Sequence, residues 1–197
     1  METRQVVVIA GPTGSGESAI TNEIIRRYPA RVTRLVTATT RHPRSGERYG
    51  VDYYFLTTEE FFENHRTGEI VEATHVPNRD TYYGSYGPDL AKKLTAGCIV
   101  IANPDLVGAQ FYKKHYNATT LFITPGDMSE LSRRLRKRNP EMTEEELAKR
   151  IENAKAEMET ERPFYDHVVV NADGHLREAV DEVVSILKRA GYDLTDG

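Results

Sequence analysis

Gly11-Pro12-Thr13-Gly14-Ser15-Gly16-Glu17-Ser18 follows the phosphate-loop pattern G-x-x-x-x-G-K-[ST] at every defined position but one. It is preceded by Gln5-Val6-Val7-Val8-Ile9-Ala10, a continuous apolar run of strand length. It is followed by Ser18 to Tyr28, where Ile20, Ile24 and Ile25 recur at helical spacing. Strand, glycine turn and helix in this order let backbone N–H groups of Gly11, Thr13, Gly14, Ser15 and Gly16 turn inward around an anion. The helix N-terminus adds its positive end, and the Ser18 hydroxyl is a candidate ligand for Mg²⁺. Glu17 stands where lysine belongs. That lysine would reach the β- and γ-phosphates, and a carboxylate in its place repels them, a change of about two charge units. Three readings of Glu17 stay open: it abolishes phosphoryl transfer, it pairs with an arginine from a lid, or it helps to hold Mg²⁺.

Outward from the loop, strand-like runs occur at Leu35-Val36-Thr37, Cys98 to Ala102, Thr120 to Ile123 and His167 to Val170, with helical patterns between most of them. Such runs predict a parallel sheet covered by helices. Two stretches break the alternation. From Arg41 to Tyr86 the sequence is polar and aromatic with Gly and Pro turns, which predicts a small antiparallel insert. From Met128 to Met158 it is charged and helical, with Leu131 and Leu135 four apart, Leu147, Ile151, Ala154 and Met158 at 4-3-4 spacing, and a basic hinge at Arg136 to Pro140. A last helix carries the stripe Leu176, Val180, Val183, Val184 and Leu187.

The expected organisation is one α/β domain over 1–197, a P-loop three-layer fold. Its core comprises 5–36, 87–127 and 163–197, with the small antiparallel insert over 37–86 and the charged helical stretch over 128–162. At 197 residues, 39% hydrophobic and 28% charged, the composition is that of a soluble globular protein. A net charge of −4 without long basic runs argues against a nucleic-acid polymer as partner. The apolar run Val6 to Ala10 is far short of the roughly 20 residues that span a bilayer, and no cleavable signal pattern precedes it. A cytoplasmic protein, a monomer or weak dimer without a membrane partner, is expected. The single cysteine, Cys98, opens an apolar run and is expected in the core, and the six histidines lack metal-ligand spacing.

Thr37-Ala38-Thr39-Thr40-Arg41-His42-Pro43-Arg44-Ser45-Gly46-Glu47 leads into Gly50-Val51-Asp52-Tyr53-Tyr54-Phe55. This resembles the guanylate kinase signature T-T-R-x-P-R-x-G-E followed by G-x-D-Y-x-F, and the resemblance extends from about Gln5 to Leu187. It implies that Arg41, Arg44, Tyr53 and Tyr83 surround the phosphate of a nucleoside monophosphate, a role that guanidinium forks and phenol donors suit. It implies a base site of Thr37, Glu72 and Ser85. The two oxygens of a glutamate accept from the ring N–H and exocyclic amine of guanine, a donor pair that adenine lacks. Where the family shows D-x-D-x-x-G, this chain has Asn103-Pro104-Asp105-Leu106-Val107-Gly108, so Asn103 replaces the first aspartate and Asp105 matches the second. Arg134, Arg138 and Arg150 match lid arginines that close over the triphosphate, and Asn171 resembles a position lining the adenine pocket.

The implied function is ATP- and Mg²⁺-dependent phosphorylation of GMP to GDP, altered or weakened by Glu17 and Asn103. Two other readings stand beside it: a silent guanylate-kinase-like binding module, favoured by Glu17, and a kinase for another phosphorylated small molecule. The segment from Thr74 to Thr81 is several residues longer than the family's usual turn there, and it bears on base choice.

Overall fold

The computed structural model describes residues 4–76 and 80–195. In chain order its elements are β1 (Val6–Ala10), α1 (Glu17–Arg27), β2 (Val32–Arg34), β3 (Thr37–Thr39), β4 (Tyr54–Phe55), α2 (Thr58–Thr67), β5 (Ile70–Val76), β6 (Thr81–Tyr86) and α3 (Gly87–Thr95). There follow β7 (Ile99–Ala102), α4 (Leu106–Tyr116), β8 (Thr119–Pro125), α5 (Met128–Arg138), α6 (Glu144–Thr160), a short 3₁₀ turn (Arg162–Phe164), β9 (His167–Asn171) and α7 (Leu176–Arg189).

The first sheet has the order β2-β7-β1-β8-β9 and is parallel throughout. Alternation along β1 explains the layering. Val7 and Ile9 pack with Ile20 and Ile24 of α1 and with Val180, Val183 and Leu187 of α7. Val6, Val8 and Ala10 pack on the other face with Leu90 of α3 and with Ala109 and Tyr112 of α4. Helices on both faces leave the carboxyl ends of the strands free for a site, and the glycine loop leaves β1 at that end.

The second sheet, β4-β3-β6-β5, is drawn wholly from residues 37–86. It is antiparallel except that β4 pairs in parallel with β3. Its small core gathers Ala38, Ile70 and Phe61 of α2, and Thr57 with Glu60 forms a capping box at the start of that helix. The third part is the pair α5 and α6, held by Leu131, Leu135, Leu147 and Ala154 with Met128, Met142 and Ile151 around them.

Two expectations change. The strand expected at Leu35-Val36-Thr37 is divided: β2 ends at Arg34 in the first sheet, β3 begins at Thr37 in the second, and Leu35-Val36 is the buried crossing between them. The apolar run reflects burial at a junction rather than strand pairing. Cys98 is half-buried and precedes β7, its carbonyl accepting from Gln5 Nε2 at 3.3 Å. Of the long segment Thr74 to Thr81, residues 77–79 lie outside the described residues, and the flanks pair as His75 with Tyr82 and Val76 with Thr81. Among the described residues no helix is long and apolar enough to cross a membrane.

Candidate functional site

Behind β1 the loop turns with Gly16 at φ +101°, a conformation that favours glycine, and Gly16 caps the start of α1. The turn leaves no room for a side chain either: a Cβ on Gly16 would fall 2.1 Å from Asn171 Nδ2. That amide donates to the Ser15 carbonyl at 2.7 Å, and Asn171 is buried at the end of β9. The loop is thus braced from the last strand of the sheet.

A cavity of about 460 Å³ lies where the three parts meet. Thr13 of the loop, Arg41, Arg44, Tyr53 and Tyr83 of the second sheet and its loops, and Arg138 and Arg150 of the helical pair line it together. The opposing charge in the lining is Glu47. It accepts both terminal nitrogens of Arg41 at 2.9 Å, and its Oε2 also accepts the Arg44 N–H at 2.7 Å. The Arg41 guanidinium lies 5.2 Å from the Tyr53 ring centre and 5.7 Å from that of Phe55. Glu47 and the Tyr83 hydroxyl hold Arg41 above its ordinary pKa, so it is a fixed cation. Arg44, Arg138 and Arg150 are exposed and make no ion pair among the described residues, so their donors are available to an anion. The motif contained Glu47, but only the structure gives it a role as the brace of both insert arginines.

Thr37, Glu72, Ser85 and Asp105 form a second group. Thr37 faces Ser85 across β3 and β6, and the Ser85 hydroxyl donates to Glu72 Oε1 at 2.5 Å. The register of β5 against β6 slips between Ile70 and Ala73, and this bulge carries Glu72. Gly108 packs closely beside it: a Cβ there would lie 2.5 Å from Pro104 Cβ and 3.2 Å from Glu72 Oε2. Burial and, to a lesser degree, the Asp105 carboxylate push the Glu72 carboxyl above its ordinary pKa, against the Ser85 bond that lowers it. Asp105 caps α4 through Gly108 N–H at 3.0 Å and accepts the Thr74 hydroxyl at 2.5 Å, so it joins the second sheet to the core.

Arg134 departs from expectation. Anticipated among the lid arginines that meet the transferred group, it spends its donors on the Ser15 carbonyl at 3.1 Å, the Asn171 carbonyl at 2.7 Å and Asp173 Oδ1 at 2.7 Å. It does not line the cavity, and its geometry is that of a second brace on the loop. Asp173, unnoticed in the sequence, takes both Arg133 and Arg134.

Glu17 opens α1 half-buried, with the Ser15 hydroxyl 3.5 Å from its Oε1. Burial above all, and then the Glu157 carboxylate, push its pKa up to about 8, while Ser15 and Arg138 pull the other way. At neutral pH it holds its proton, so relative to lysine the loop loses about one charge unit rather than two. Asn103 is equally built in: its Nδ2 donates to the Ile9 carbonyl at 2.8 Å and to Thr21 Oγ1 at 3.3 Å. An aspartate in that pose would set a carboxylate oxygen against the Ile9 carbonyl.

Residues 3–190 match the family model described as guanylate kinase. The chain belongs to the guanylate kinase family. A guanylate kinase of Rhodopirellula baltica is 37% identical over 185 residues, covering 93% of this chain and 87% of that protein. A guanylate kinase of Fusobacterium nucleatum is 31% identical over 189 residues, covering 95% and 98%. Among solved structures, the guanylate kinase from Anaplasma phagocytophilum superposes with a TM-score of 0.72 at 26% identity, covering 97% of this chain and 88% of that one. The parallel core sheet, the separate second sheet and the helical pair are therefore a guanylate kinase fold, and the chain is a nucleoside monophosphate kinase by family.

Proposed function

We propose that this protein transfers the γ-phosphoryl group of ATP to GMP, giving GDP and ADP. One observation carries the reading: Thr13 of the phosphate loop, the Arg41–Arg44–Tyr53–Tyr83 set and the lid residues Arg138 and Arg150 face one cavity. In the reaction an oxygen of the GMP phosphate bonds to the γ-phosphorus as its bond to the β–γ bridging oxygen breaks. Such a transfer depends on positioning and on charge stabilisation. Arg41 and Arg44 hold the acceptor phosphate, with Tyr53 and Tyr83 adding donors. Arg138 and Arg150 offset charge on the group in flight. Glu72, oriented by Ser85 opposite Thr37, selects guanine, and Asp105 keeps that pocket against the core.

Arg134 and Asn171 act one step back by fixing the loop amides. Ser18 fits Mg²⁺: it is exposed on the first turn of α1, and among the described residues its hydroxyl has no partner. An ion held here would take most of its ligands from phosphates and water. When bound, Mg²⁺ supplies charge neutralisation at the phosphates. The reading takes the protein to be a cytoplasmic monomer or weak dimer.

A second reading rests on Glu17: with no lysine on the loop, the cleft binds nucleotide or protein without turnover. A coupled assay of GDP formation, run on the parent and on Arg41→Ala, separates the two. Turnover that is lost with Arg41 supports the kinase, and its absence from the parent supports the silent module.

A further inference from the structure

Two covalent connections join the second sheet to the core: Leu35-Val36 on the way out, and Tyr86-Gly87 on the way back, where β6 gives way to α3. Both are gathered at one buried carboxylate. Asp89, 6% exposed in the first turn of α3, accepts the Val36 N–H at 2.9 Å and the Lys93 ammonium at 2.5 Å, both at Oδ2. Its Oδ1 accepts the Tyr54 hydroxyl from β4 at 3.2 Å. Lys93, one turn further along α3, also donates to the Arg34 carbonyl at the end of β2 at 2.6 Å. The Tyr54 ring lies 4.2 Å from that of Tyr86, the last residue before the return connection.

A buried Asp–Lys pair at i,i+4 on one helix is commonly no more than a helix-stabilising contact. Here the remaining partners lie off α3, and each belongs to a different part: the core strand through Arg34, the outgoing connection through Val36, and the second sheet through Tyr54. Burial and the Asp89 carboxylate push the Tyr54 hydroxyl up to about 12, which keeps it a donor at neutral pH. The far edge of the sheet has its own Asp166–Lys113–Thr120 cluster, and among the described residues no bond of the Asp89 cluster reaches β8, β9 or the loop brace at Asn171. The Asp89 cluster therefore acts on the insert and leaves the phosphate loop alone.

We propose that Asp89, neutralised by Lys93, is a positioning residue that sets the angle between insert and core, and with it the reach of Arg41, Arg44 and Glu72 toward a nucleotide on the loop. This rests on the reading that the insert receives GMP. Asp89 touches no substrate in this account; it acts through the two connections and Tyr54.

The test uses Asp89→Asn, Lys93→Met and the conservative Lys93→Arg in the full chain. Spin labels replace the exposed Glu59 on α2 and Glu182 on α7 in a Cys98→Ser background. In the parent without nucleotide, pulsed dipolar spectroscopy is expected to give one narrow distance population. Asp89→Asn and Lys93→Met are expected to broaden it or add a second, and Lys93→Arg to restore it. The KM for GMP is expected to rise about tenfold or more, the size of one lost buried hydrogen bond to a charged group, while the KM for ATP stays within about twofold. Unchanged distances in the two disrupting variants would overturn the proposal. So would KM values for GMP and ATP that rise together in step with a lower Tm, which marks a merely structural pair. A broadened distance with an unaltered KM for GMP would overturn the positioning role as well, whereas a parent that forms no GDP would count against the GMP reading and leave the distance test in force. Should Asp89→Asn not fold, Lys93→Met carries the same comparison.

Discussion

The side-chain amide of Asn171, at the end of the last core strand, donates to the Ser15 carbonyl at 2.7 Å and occupies the space that Gly16 leaves open. Arg134 donates to the same carbonyl at 3.1 Å. The phosphate loop is thus held by two residues more than a hundred positions away, neither of which lines the cavity.

Asn171→Ala removes one of these bonds and leaves Arg134 in place. The expected cost is about 1 kcal/mol, the net worth of one buried hydrogen bond. It is expected to appear as a several-fold rise in the KM for ATP with the KM for GMP unchanged. Steady-state kinetics with each substrate varied in turn checks this.

Much of the fold was legible because local signals agreed. The apolar runs of β1, β7 and β8, the glycine turn and the 4-3-4 stripe of α6 each carry their own periodicity. What stayed hidden depends on contacts distant in sequence. Leu35-Val36 reads as a strand, yet its backbone is satisfied by Ile101 O and by Asp89, the latter 53 residues on. Arg134 sits on a helix face like Arg138, and only its reach to Ser15 and Asn171 sets it apart. The insert arginines were singled out by the resemblance of their motif to the guanylate kinase signature, whereas the double hold of Glu47 on Arg41 needed the folded loop.

Glu17 should make stability depend on pH in a defined window. Its folded-state pKa of about 8 lies above the ordinary 4.5, so between these values the native state holds a proton that the unfolded chain has lost. Stability is then expected to fall as pH rises from 4.5 to 8 and to level beyond. Glu17→Gln should remove that component. Thermal melts of both proteins across this range measure it. Turnover is expected to drop above pH 8 in the parent, as the ionised carboxylate meets the phosphates, and to be flatter in Glu17→Gln.

Glu72→Gln keeps the shape of the proposed base pocket but replaces one acceptor by a donor. The mismatch leaves a buried donor of guanine unpaired, a penalty of about 1–3 kcal/mol. The KM for GMP is expected to rise about tenfold or more, with the KM for ATP unaffected. A comparison of GMP, IMP and AMP as acceptors should show the preference for GMP narrowing.

Gly16→Ala sets a methyl 2.1 Å from Asn171 Nδ2 at a φ of +101°. Strain at such a position costs about 1–3 kcal/mol. Loss of ATP binding with a lowered Tm is expected, measured by calorimetry and thermal melting, and Asn171→Ala in the same chain should recover part of the Tm by opening the space.

The central claim is that the cavity between Thr13, Arg41 and Arg138 performs phosphoryl transfer without a loop lysine. The most direct measurement is GDP formation from ATP, Mg²⁺ and GMP by the parent, beside Arg41→Ala and Glu17→Lys. The account requires clear turnover in the parent, its loss in Arg41→Ala, and a rise in Glu17→Lys. GDP that forms only in Glu17→Lys would contradict it and would make the parent a binding fold.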